Sequence, residues 1–530
     1  MPRIADEVRS GETITSLDPA TGEIVGAVPL TPPEDVERAA AEAQEAGSGW
    51  ALVPLEQRLR VIARAVEDLL DREEEIARLI TRESGKPITE STVVEIGAAA
   101  LQLSWVARNA ARYLGPERIP DPQLVAKAKR HWLVYKPMGV IGVIGPWNYP
   151  FMLPAAQIAF ALAAGNAVLF KPSEHTPLVG DEIARVFARA GLPEGVLRVA
   201  HGYGETGAAV CTAQSVAKIM FTGSVPTGRR VLVEAARAGK GAVLELGGKD
   251  AAIVCADADL DRAASGVLWA GATNAGQTCA AVERIYVDRR VYDAFVRRLV
   301  DLARGTEPGD PKDPATPVGP MNNQPQHEIV LRHLEDAVAK GATVECGGPV
   351  RVPGLAGRFV APAVLTGVDH SMSVMTEETF GPLLPVMAFA SEQEAVRLAN
   401  GTEYGLGASI WSRDPRRARL LADRMETGMV WINDHAYSHG LAQLPWGGVK
   451  SSGHGVTHSK FGFYEVVDKQ LVGEDAGRLP GAWWYPYTEV KRRGFLAVVE
   501  SMSRSELGRR VGTAWRRRGT IGRYVRSLFR

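Results

Sequence analysis

Two side chains of this sequence have the types and settings needed for covalent chemistry on a carbonyl carbon. Cys279 ends a Gly-Gln-Thr-Cys run that starts at Gly276 among small residues, which indicates a thiol held at a tight turn. Glu245 lies in the apolar, glycine-flanked run 243–248, which indicates a buried carboxylate that accepts a proton. A thiol nucleophile and a base carboxylate are the minimum set for this chemistry. A lone cysteine is more often a small core residue, so the pair depends on what surrounds it.

Asn148 is a third candidate because its backbone is unusually restrained. It follows Pro146-Trp147 and precedes Tyr149-Pro150, and prolines limit both their own backbone and that of the preceding residue. A rigid setting suits a side-chain amide that must hold a hydrogen-bond donor in place. Such a donor can lower a barrier by about 3 kcal/mol where charge develops on oxygen. The alternative is that Asn148 only caps the helix that follows.

Six short motifs follow one another along the chain. They are Pro146-Trp-Asn-Tyr-Pro150, Lys171-Pro-Ser-Glu174, Phe221-Thr-Gly-Ser224, Glu245-Leu-Gly-Gly-Lys249, Gly276-Gln-Thr-Cys279 and Glu377-Glu-Thr-Phe-Gly-Pro382. In this order they resemble the NAD(P)-dependent aldehyde dehydrogenase superfamily of the non-acylating kind, from Asp18 to about Leu471. The resemblance implies an α/β fold with a Rossmann-type cofactor domain, an α/β catalytic domain and a β-hairpin element for oligomerisation.

The resemblance also implies the reaction: an aldehyde is oxidised to the carboxylic acid with NAD through a thiohemiacetal and a thioester on Cys279. At the matching family positions, Asn148 and the Cys279 N–H form an oxyanion hole, and Glu245 activates water. A CoA-acylating semialdehyde dehydrogenase is one alternative, and Glu245 argues against it because that reaction needs no base for water. A non-catalytic structural member of the fold is the other, and the intact catalytic set argues against it.

The cofactor motifs are less usual. No GxGxxG run follows the first strand, so the common dinucleotide fingerprint is absent. Gly223 and Ser224 instead open the run 223–228, where a helix N-terminus could meet a pyrophosphate, although the run also fits an ordinary strand–helix turn. By resemblance, Lys171 and Glu174 address the adenosine ribose. A carboxylate there accepts hydrogen bonds from both hydroxyls and repels a 2′-phosphate, which favours NAD over NADP.

By the same resemblance, Trp147 contacts the cofactor, and Glu378 and Phe380 position the nicotinamide ribose and ring. The alternative for Glu378 is a solvated loop charge.

No metal site is expected, since the four cysteines have neither CxxC spacing nor paired histidines nearby. The same spacing gives no disulfide framework and favours a reducing, cytoplasmic setting. The N-terminus shows no signal sequence, and no apolar stretch reaches the roughly 20 residues of a membrane span.

Length and periodicity suggest the organisation. The 530 residues, 45% hydrophobic and 23% charged, can form more than one domain. Apolar spacing predicts a surface helix over 59–70. From about 139, β-branched runs alternate with helical stretches, which predicts a parallel sheet covered on both faces. Strands are expected at 140–144, 167–170, 219–221, 252–254 and 284–287, and helices over about 152–164, 177–190 and 226–238.

We expect domain boundaries that follow the resemblance. Residues 1–246 form the NAD-binding domain, with oligomerisation strands at about 127–137, and 247–450 form the catalytic domain. The segment 451–475 returns to the cofactor domain and supplies a further strand over about 463–471. These strands predict a homodimer or homotetramer.

The segment 476–530 is a basic amphipathic tail. From Arg478 it holds thirteen basic and three acidic residues, a charge of +10 that the rest of the neutral chain balances with −10. Aromatic residues cluster at 483–487, and apolar residues at 507, 511, 514, 515, 521, 525 and 528 fall near helical spacing among arginines. This composition suits a membrane surface, but packing on a partner subunit stays open. No nucleic-acid partner is expected.

The sequence leaves the aldehyde open between long-chain aliphatic, aromatic and succinic semialdehyde substrates. After Gly453 the chain reads His454-Gly-Val-Thr-His458, whereas many members of the family carry a glutamate that is sometimes invoked as a proton relay. The run 434–439 holds His435 and His439. These histidines could line the substrate tunnel, but we expect a surface loop rather than ligands.

Overall fold

The computed structural model describes residues 9–10, 13–120, 129–476 and 483–527. Its strands, in chain order, are β1 (Arg9–Ser10), β2 (Thr13–Leu17), β3 (Ile24–Pro29), β4 (Glu117–Ile119), β5 (Lys129–Pro137), β6 (Val140–Ile144), β7 (Ala167–Lys171), β8 (Leu197–Val199), β9 (Val216–Thr222), β10 (Gly241–Glu245), β11 (Asp250–Val254), β12 (Val282–Asp288), β13 (Thr343–Val350), β14 (Phe359–Thr366), β15 (Leu383–Phe389), β16 (Gly407–Trp411), β17 (Met429–Ile432), β18 (Gly453–His454) and β19 (Val467–Asp475).

The α-helices are α1 (Pro33–Leu52), α2 (Leu55–Asp71), α3 (Glu73–Ser84), α4 (Ile88–Glu90), α5 (Ala98–Leu114), α6 (Met152–Ala164), α7 (Pro177–Arg189), α8 (Gly204–Thr212), α9 (Val225–Arg237), α10 (Leu260–Ala272), α11 (Tyr292–Arg304), α12 (Gln324–Ala339), α13 (Ser373–Thr376), α14 (Glu392–Asn400), α15 (Pro415–Ala422), α16 (Ser459–Glu465), α17 (Glu489–Ser503) and α18 (Leu507–Ser527). A π-helical segment, Ser91–Gly97, joins α4 to α5. Short 3₁₀ turns occupy Thr273–Gly276, Tyr437–Gly440 and Lys450–Ser452.

The described chain divides into two compact units. The first runs to Tyr113 and then from Pro137 to Asp468, and the second comprises Leu114–Lys136 and the chain from Lys469 on. The first unit contains two large, mainly parallel sheets. The order of one is β18-β10-β9-β6-β7-β8, and the order of the other is β13-β14-β15-β12-β11-β16-β17.

Burial explains why these segments form central strands. Every residue of β6, β7, β11, β12 and β16 is buried, as expected for parallel strands covered by helices on both faces. Helix α6 is buried along its whole length because nine of its thirteen residues are alanine, leucine or isoleucine, which fit closely beside the sheet. Both sheets direct the carboxyl ends of their parallel strands towards loops, which is where α/β folds hold ligands.

Most of the predicted elements of the first unit are confirmed. The strand at 140–144 and the helix over 152–164 have those bounds in the structure. The helices predicted over 177–190 and 226–238 are α7 and α9, each with ends shifted by one residue or less. The predicted stripe over 59–70 lies on α2.

The strand predicted from Phe463 is wrong at its start. Phe463 belongs to α16, and β19 begins at Val467. The reason is packing: the fully buried Phe463 ring lies 4.5 Å from the Phe160 ring and 5.9 Å from the Trp105 ring, centroid to centroid. Of the earlier oligomerisation strand, 129–137 is β5, whereas 127–128 lie outside the described residues.

The second unit combines a small sheet with a helical hairpin. The sheet order is β19-β5-β4. Helices α17 and α18 pack against each other through Ala497, Val498, Thr513 and Tyr524, which are buried. Gly494 permits this contact, because a Cβ there would lie 2.1 Å from the Cβ of Tyr524. Within the described parts of the chain, no helix has the length and apolar composition needed to cross a membrane.

Candidate active site

Cys279 follows a strained turn at the end of α10. Asn274 (φ 52°), Ala275 (φ 55°) and Gly276 (φ 74°) are all left-handed, and non-glycine residues adopt this conformation only where their surroundings enforce it. A side chain at Gly276 is also excluded by space, since its Cβ would lie 2.3 Å from the carbonyl carbon of Gly381. The Gly-Gln-Thr-Cys motif therefore packs directly on the 377–382 motif.

Buried polar contacts hold this turn. The carboxylate of Glu90 accepts hydrogen bonds from the Asn274 N–H at 2.8 Å and the Thr273 hydroxyl at 2.9 Å. The Asn274 side-chain amide donates to the carbonyls of Asn148 at 3.0 Å and Gln277 at 3.1 Å. The turn is thus tied both to α4 and to the loop that carries Asn148.

The residue Cys279 is partly exposed, although Thr278 and Ala280 on either side are buried. Burial of the sulfur, together with the nearby charge of Glu245, raises the pKa of Cys279. The free protein therefore holds a neutral thiol at neutral pH. A nucleophilic thiolate must form by proton transfer during the reaction.

Glu245 is the last residue of β10, where it is flanked by Thr222 of β9 and Gly453 of β18. Burial raises the pKa of Glu245 well above its usual range. The Thr457 hydroxyl opposes this shift by donating to Glu245 Oε1 at 3.3 Å. The same hydroxyl lies 3.3 Å from the Trp446 carbonyl. Thr457, in the run 454–458, thus contacts the Glu245 carboxyl.

The Asn148 side chain faces the turn and does not cap a helix. Its Nδ2 donates to the Gln277 carbonyl at 3.0 Å, two residues before Cys279. Helix α6 begins at Met152 with Phe151 as its N-cap residue and has no side-chain cap. The free N–H groups of Phe151 and Met152 instead donate to Glu95 at 3.3 and 2.8 Å. The helix-capping alternative for Asn148 is therefore wrong.

Sequence reasoning missed the buried charges beneath this loop. The π-helical segment 91–97 carries Glu95, which is fully buried and paired with Lys86. The Lys86 ammonium also lies 3.9 Å from the centre of the Tyr149 ring, whose hydroxyl is 2.9 Å from the Thr278 hydroxyl. An inserted π-helical residue re-aims side chains that regular periodicity would place elsewhere. No sequence signal used above could have found these residues.

The two glycines after Glu245 allow three motifs to meet. A Cβ at Gly247 would lie 2.2 Å from Glu378 Oε2, and a Cβ at Gly248 would lie 2.4 Å from the Cys279 carbonyl oxygen. The Gly248 N–H donates to Glu378 at 3.0 Å. Burial raises the pKa of Glu378 to about 8, and the charge of Glu283 adds to the shift. Glu378 is therefore not a solvated loop charge.

A second buried ion pair fixes the loop of Glu378 and Phe380. Glu283 accepts hydrogen bonds from the N–H groups of Thr379 and Phe380, both at 2.7 Å. Lys249 lies 2.5 Å from the same carboxylate. Removing one member of such a pair costs about 3–5 kcal/mol because the other charge stays buried. Sequence reasoning also missed Glu283, which lies in β12 and reads as an ordinary strand residue.

Lys171 and Glu174 lie at the carboxyl end of β7. Lys171 is buried, with Nζ 3.0 Å from the Pro172 carbonyl and 3.5 Å from Glu174 Oε2. Burial works against ionisation of Glu174, but the charges of Lys171 and His175 and the hydrogen bonds to the carboxylate together outweigh it, and the pKa of Glu174 is lowered. This charged carboxylate can accept hydrogen bonds from sugar hydroxyls and repels phosphate.

Gly223 and Ser224 lie at the end of β9, two strands away from β7. The Gly223 N–H donates to the Glu245 carbonyl at 3.0 Å. Ser224 is the exposed N-cap of α9 and accepts from the Thr227 N–H at 3.4 Å. A helix N-terminus beside a charged carboxylate and a buried lysine, all at one sheet edge, fits a dinucleotide with its pyrophosphate and ribose.

Trp147 and Phe380 connect the first motif to the last. Their rings are 5.4 Å apart and nearly perpendicular, a favourable aromatic geometry. Phe380 has a left-handed φ of 51°, which the Glu283 hydrogen bonds described above support. The structure thus links Trp147, Gly247, Gly276 and Phe380 by direct contacts around Cys279.

An apolar cavity of about 210 Å³ lies next to the chain segment that carries Cys279. Thr278 and Ala280, the neighbours of Cys279, line it together with Leu101, Tyr149, Met152, Trp269, Tyr437 and Leu441. It is larger than the cavity of about 150 Å³ that accepts benzene in another protein. No lysine, arginine, aspartate or glutamate belongs to its lining within the described residues.

The surface-loop prediction for His435 and His439 is wrong, because both are buried. His435 Nε2 donates to the Ala280 carbonyl at 2.8 Å. The His439 ring packs between Tyr149 and Trp446, at 5.2 and 4.5 Å between centroids, and lines the cavity. Burial lowers the pKa of His435 to about 4 and that of His439 to about 3. Both rings are therefore neutral, and the cavity gains no cation from them.

Side chains that could bind a metal ion are not clustered in the residues that the structure describes. No group of three or more histidine, cysteine, aspartate or glutamate side chains is arranged to hold a metal ion there.

Comparison with known proteins gives a consistent result. The family model described as "Aldehyde dehydrogenase family" matches residues 7–472. Betaine aldehyde dehydrogenase of Sinorhizobium fredii (strain NBRC 101917 / NGR234) is 38% identical over 474 residues, which is 89% of this chain and 96% of the relative.

Two solved structures have the same fold. An NAD-dependent aldehyde dehydrogenase from Sinorhizobium meliloti is 36% identical and superposes with a TM-score of 0.85, over 90% of this chain and 94% of that one. An NADP-dependent enzyme of E. coli is 34% identical with a TM-score of 0.83, over 88% and 96%.

Proposed function

The chain belongs to the aldehyde dehydrogenase family, and from this membership we propose the role of each residue in its site. It is an NAD-dependent enzyme that oxidises an aldehyde to the carboxylic acid. The observation that supports the roles best is that the turn before Cys279 accepts a hydrogen bond from the Asn148 amide, while the charge of the buried Glu245 carboxyl acts on the Cys279 thiol. Neither a CoA-acylating enzyme nor a non-catalytic protein is favoured.

In the first step, Cys279 attacks the aldehyde carbon. The thiol proton passes to ionised Glu245, a carbon–sulfur bond forms, and the carbonyl electron pair moves onto oxygen. The Asn148 amide nitrogen carries two hydrogens. The Gln277 carbonyl engages one of them, and the other donates to the oxyanion together with the Cys279 backbone N–H.

In the second step, the carbon–hydrogen bond breaks and a thioester remains on Cys279. Bound NAD supplies the oxidant that takes up this hydride. Glu245 returns its proton to solvent and then accepts one from a water molecule as the water oxygen attacks the thioester. The carbon–sulfur bond breaks and the acid leaves. Sulfur suits both halves because a thiolate is a good nucleophile and a good leaving group.

We propose Thr457 as a positioning residue for this base. Its single hydroxyl hydrogen can point to Glu245 when the carboxylate is ionised and to the Trp446 carbonyl when Glu245 carries the proton, since both acceptors are 3.3 Å away. The hydroxyl therefore provides a partner for Glu245 in either state. This role stabilises the ionised form of the buried Glu245 carboxyl.

We propose that Lys171 and Glu174 hold the adenosine ribose, Gly223 and Ser224 the pyrophosphate, and Trp147, Glu378 and Phe380 the nicotinamide half. The lowered pKa of Glu174 supports NAD, because an ionised carboxylate repels a 2′-phosphate. The corresponding domain proposal is a cofactor domain over 1–246 and a catalytic domain over 247–450, with 451–475 returning to the first.

The substrate that the cavity supports best is a neutral, apolar aldehyde with an aliphatic chain or an aromatic ring. An apolar wall stabilises such groups by about 25 cal/mol per Å² of surface removed from water. Succinic semialdehyde would bury its carboxylate there without a cation, which is strongly unfavourable. Betaine aldehyde, which gives the relative its name, carries a positive charge. The Lys86 ammonium already lies over one face of the Tyr149 ring, so that face does not bind a second cation.

Steady-state NADH formation across an aldehyde panel tests this proposal. We expect kcat/KM to rise with chain length from propanal to octanal and to be high for phenylacetaldehyde, but low for succinic semialdehyde and betaine aldehyde. Leu101→Lys places a cation at the cavity lining and should shift preference towards the semialdehyde, whereas Leu70→Lys, on an exposed site of α2, should not. A wild-type preference for either charged aldehyde would contradict the proposal.

We also propose a cytoplasmic homodimer or homotetramer that the tail brings to a membrane surface. Strand β19 is an edge of its described sheet, with Leu471 63% and Val472 41% exposed. An edge strand presents unpaired backbone N–H and C=O groups that favour pairing with another chain, which supports subunit contact at β19.

A further inference from the structure

We propose that one face of α18, marked by Leu507, Val511 and Trp515, binds the surface of an anionic lipid bilayer. This inference extends the proposed membrane attachment by assigning the face and the lipid chemistry. It concerns the tail alone and does not depend on the reaction at Cys279.

The first argument is charge. Helix α18 carries seven arginines, all exposed, and no aspartate or glutamate. Two of the seven pair with carboxylates outside the helix, Arg509 with Glu506 and Arg517 with Glu500. The other five have no carboxylate partner among the described residues. At 1.5 Å per residue, the 21-residue helix concentrates this charge along about 31 Å, which complements an anionic surface.

The second argument is an apolar stripe on the same helix. Leu507, Val511 and Trp515 follow one another at four-residue spacing and are 75%, 62% and 69% exposed. This spacing places them on one face. Thr513 and Tyr524, by contrast, are buried against α17, so the exposed stripe lies on the opposite side of the helix. The Arg518 guanidinium lies 3.9 Å from the Trp515 ring, so cation and apolar surface are adjacent.

The third argument comes from residues before α17. Trp483, Trp484, Tyr485 and Tyr487 are 46–79% exposed. Tryptophan and tyrosine favour the boundary between lipid headgroups and hydrocarbon because an apolar ring ends in a polar tip. Exposed aromatic rings together with an arginine-bordered apolar stripe in the same unit are the composition of an interfacial, non-spanning membrane binder.

The alternatives meet specific obstacles. A symmetric contact between two copies of α18 through this stripe would bring Arg518 and Arg526, which border it at helical spacing, close to a second copy of the same charges, and like charges repel across such an interface. A nucleic acid would neutralise the arginines but would leave Leu507, Val511 and Trp515 exposed to water. An anionic bilayer covers both the charged and the apolar parts of this face.

Sedimentation of the full-length enzyme with vesicles tests the proposal. We expect binding to phosphatidylcholine vesicles that contain phosphatidylglycerol, weaker binding to phosphatidylcholine alone, and release by added salt. Replacing Arg516, Arg518, Arg523 and Arg526 by glutamine should weaken the binding on the order of a hundredfold. Trp515→Ala should also weaken it. All five side chains are exposed, so their removal leaves the hairpin packing in place.

The matched control replaces four exposed arginines of the first unit, Arg60, Arg297, Arg351 and Arg419, and should bind vesicles as the wild type does. Equal loss in this control, equal binding to neutral vesicles, or no binding at all would overturn the proposal. Tail-dependent self-association without vesicle binding, or tighter binding to duplex DNA, would also overturn it. Aldehyde oxidation is measured in the same samples. Loss of vesicle binding with normal oxidation would concern the tail alone, whereas loss of oxidation would concern the proposed reaction.

Discussion

The catalytic centre and the C-terminal hairpin use charged residues in opposite ways. In the centre, Glu95 and Glu283 are buried beside Lys86 and Lys249, and each accepts two backbone N–H groups from a loop that the site needs. In the hairpin, the arginines of α18 are exposed, and five of them lack a carboxylate partner among the described residues. Buried charge is thus used to fix geometry, whereas exposed charge is available to a partner.

The difference extends to proton affinity. Burial raises the pKa values of Cys279 and Glu245 above their usual ranges. Because each must lose a proton to act, we expect activity to rise with pH from neutral to alkaline. The arginines of the tail keep their charge throughout this range, so vesicle binding should hardly change with pH while activity does.

The largest effect should come from removing the nucleophile. In Cys279→Ala no bond to the substrate carbon can form, and we expect kcat/KM for aldehyde oxidation to fall on the order of 10⁴-fold or more. Vesicle binding should be unchanged, which separates the two regions. Steady-state NADH formation with hexanal measures the first quantity and co-sedimentation the second. Appreciable turnover by this variant would sink the assignment of Cys279.

A smaller loss is expected when the oxyanion donor is removed. Asn148→Ala should lower kcat by about 10²–10³-fold, because the donor acts mainly on the charge that develops in the transition state. The measurement is the rate of the first turnover at saturating NAD, with thermal unfolding as the control for the fold. A change confined to KM would mean that Asn148 binds substrate without stabilising the oxyanion.

The smallest effect should come from Thr457→Val. The variant removes the hydroxyl that favours ionised Glu245, so the pKa of Glu245 rises further and the pH–rate profile should move to higher pH by roughly one unit. Thr457→Ser keeps a hydroxyl and is the matched control. An unshifted profile in the valine variant would show that Thr457 has only a packing role.

The sequence allowed much of the first unit to be predicted. Apolar runs and their spacing gave β6 and α6 their bounds because both are local signals that burial reinforces. The failures have a non-local cause. Phe463 is helical because its ring packs on Phe160, and His439 is buried because it packs on Trp446.

The buried charges of the centre were the main omission. Glu95 and Glu283 are surrounded in the sequence by residues typical of a helix and a strand, and nothing in their neighbourhood indicates burial. Their roles arise from backbone groups 56 and 96 positions away. Motif resemblance found the residues at the reacting centre but not those that hold its loops.

The most direct test of the account is to trap the acyl group in Glu245→Gln. With aldehyde and NAD this variant should form one NADH per active site rapidly and then turn over on the order of 10²–10⁴-fold more slowly than the wild type. Mass spectrometry of the stopped reaction should find the acyl mass on the peptide that contains Cys279. A burst without acyl on Cys279, or fast steady turnover, would contradict thioester formation at Cys279 with Glu245 as its hydrolytic base.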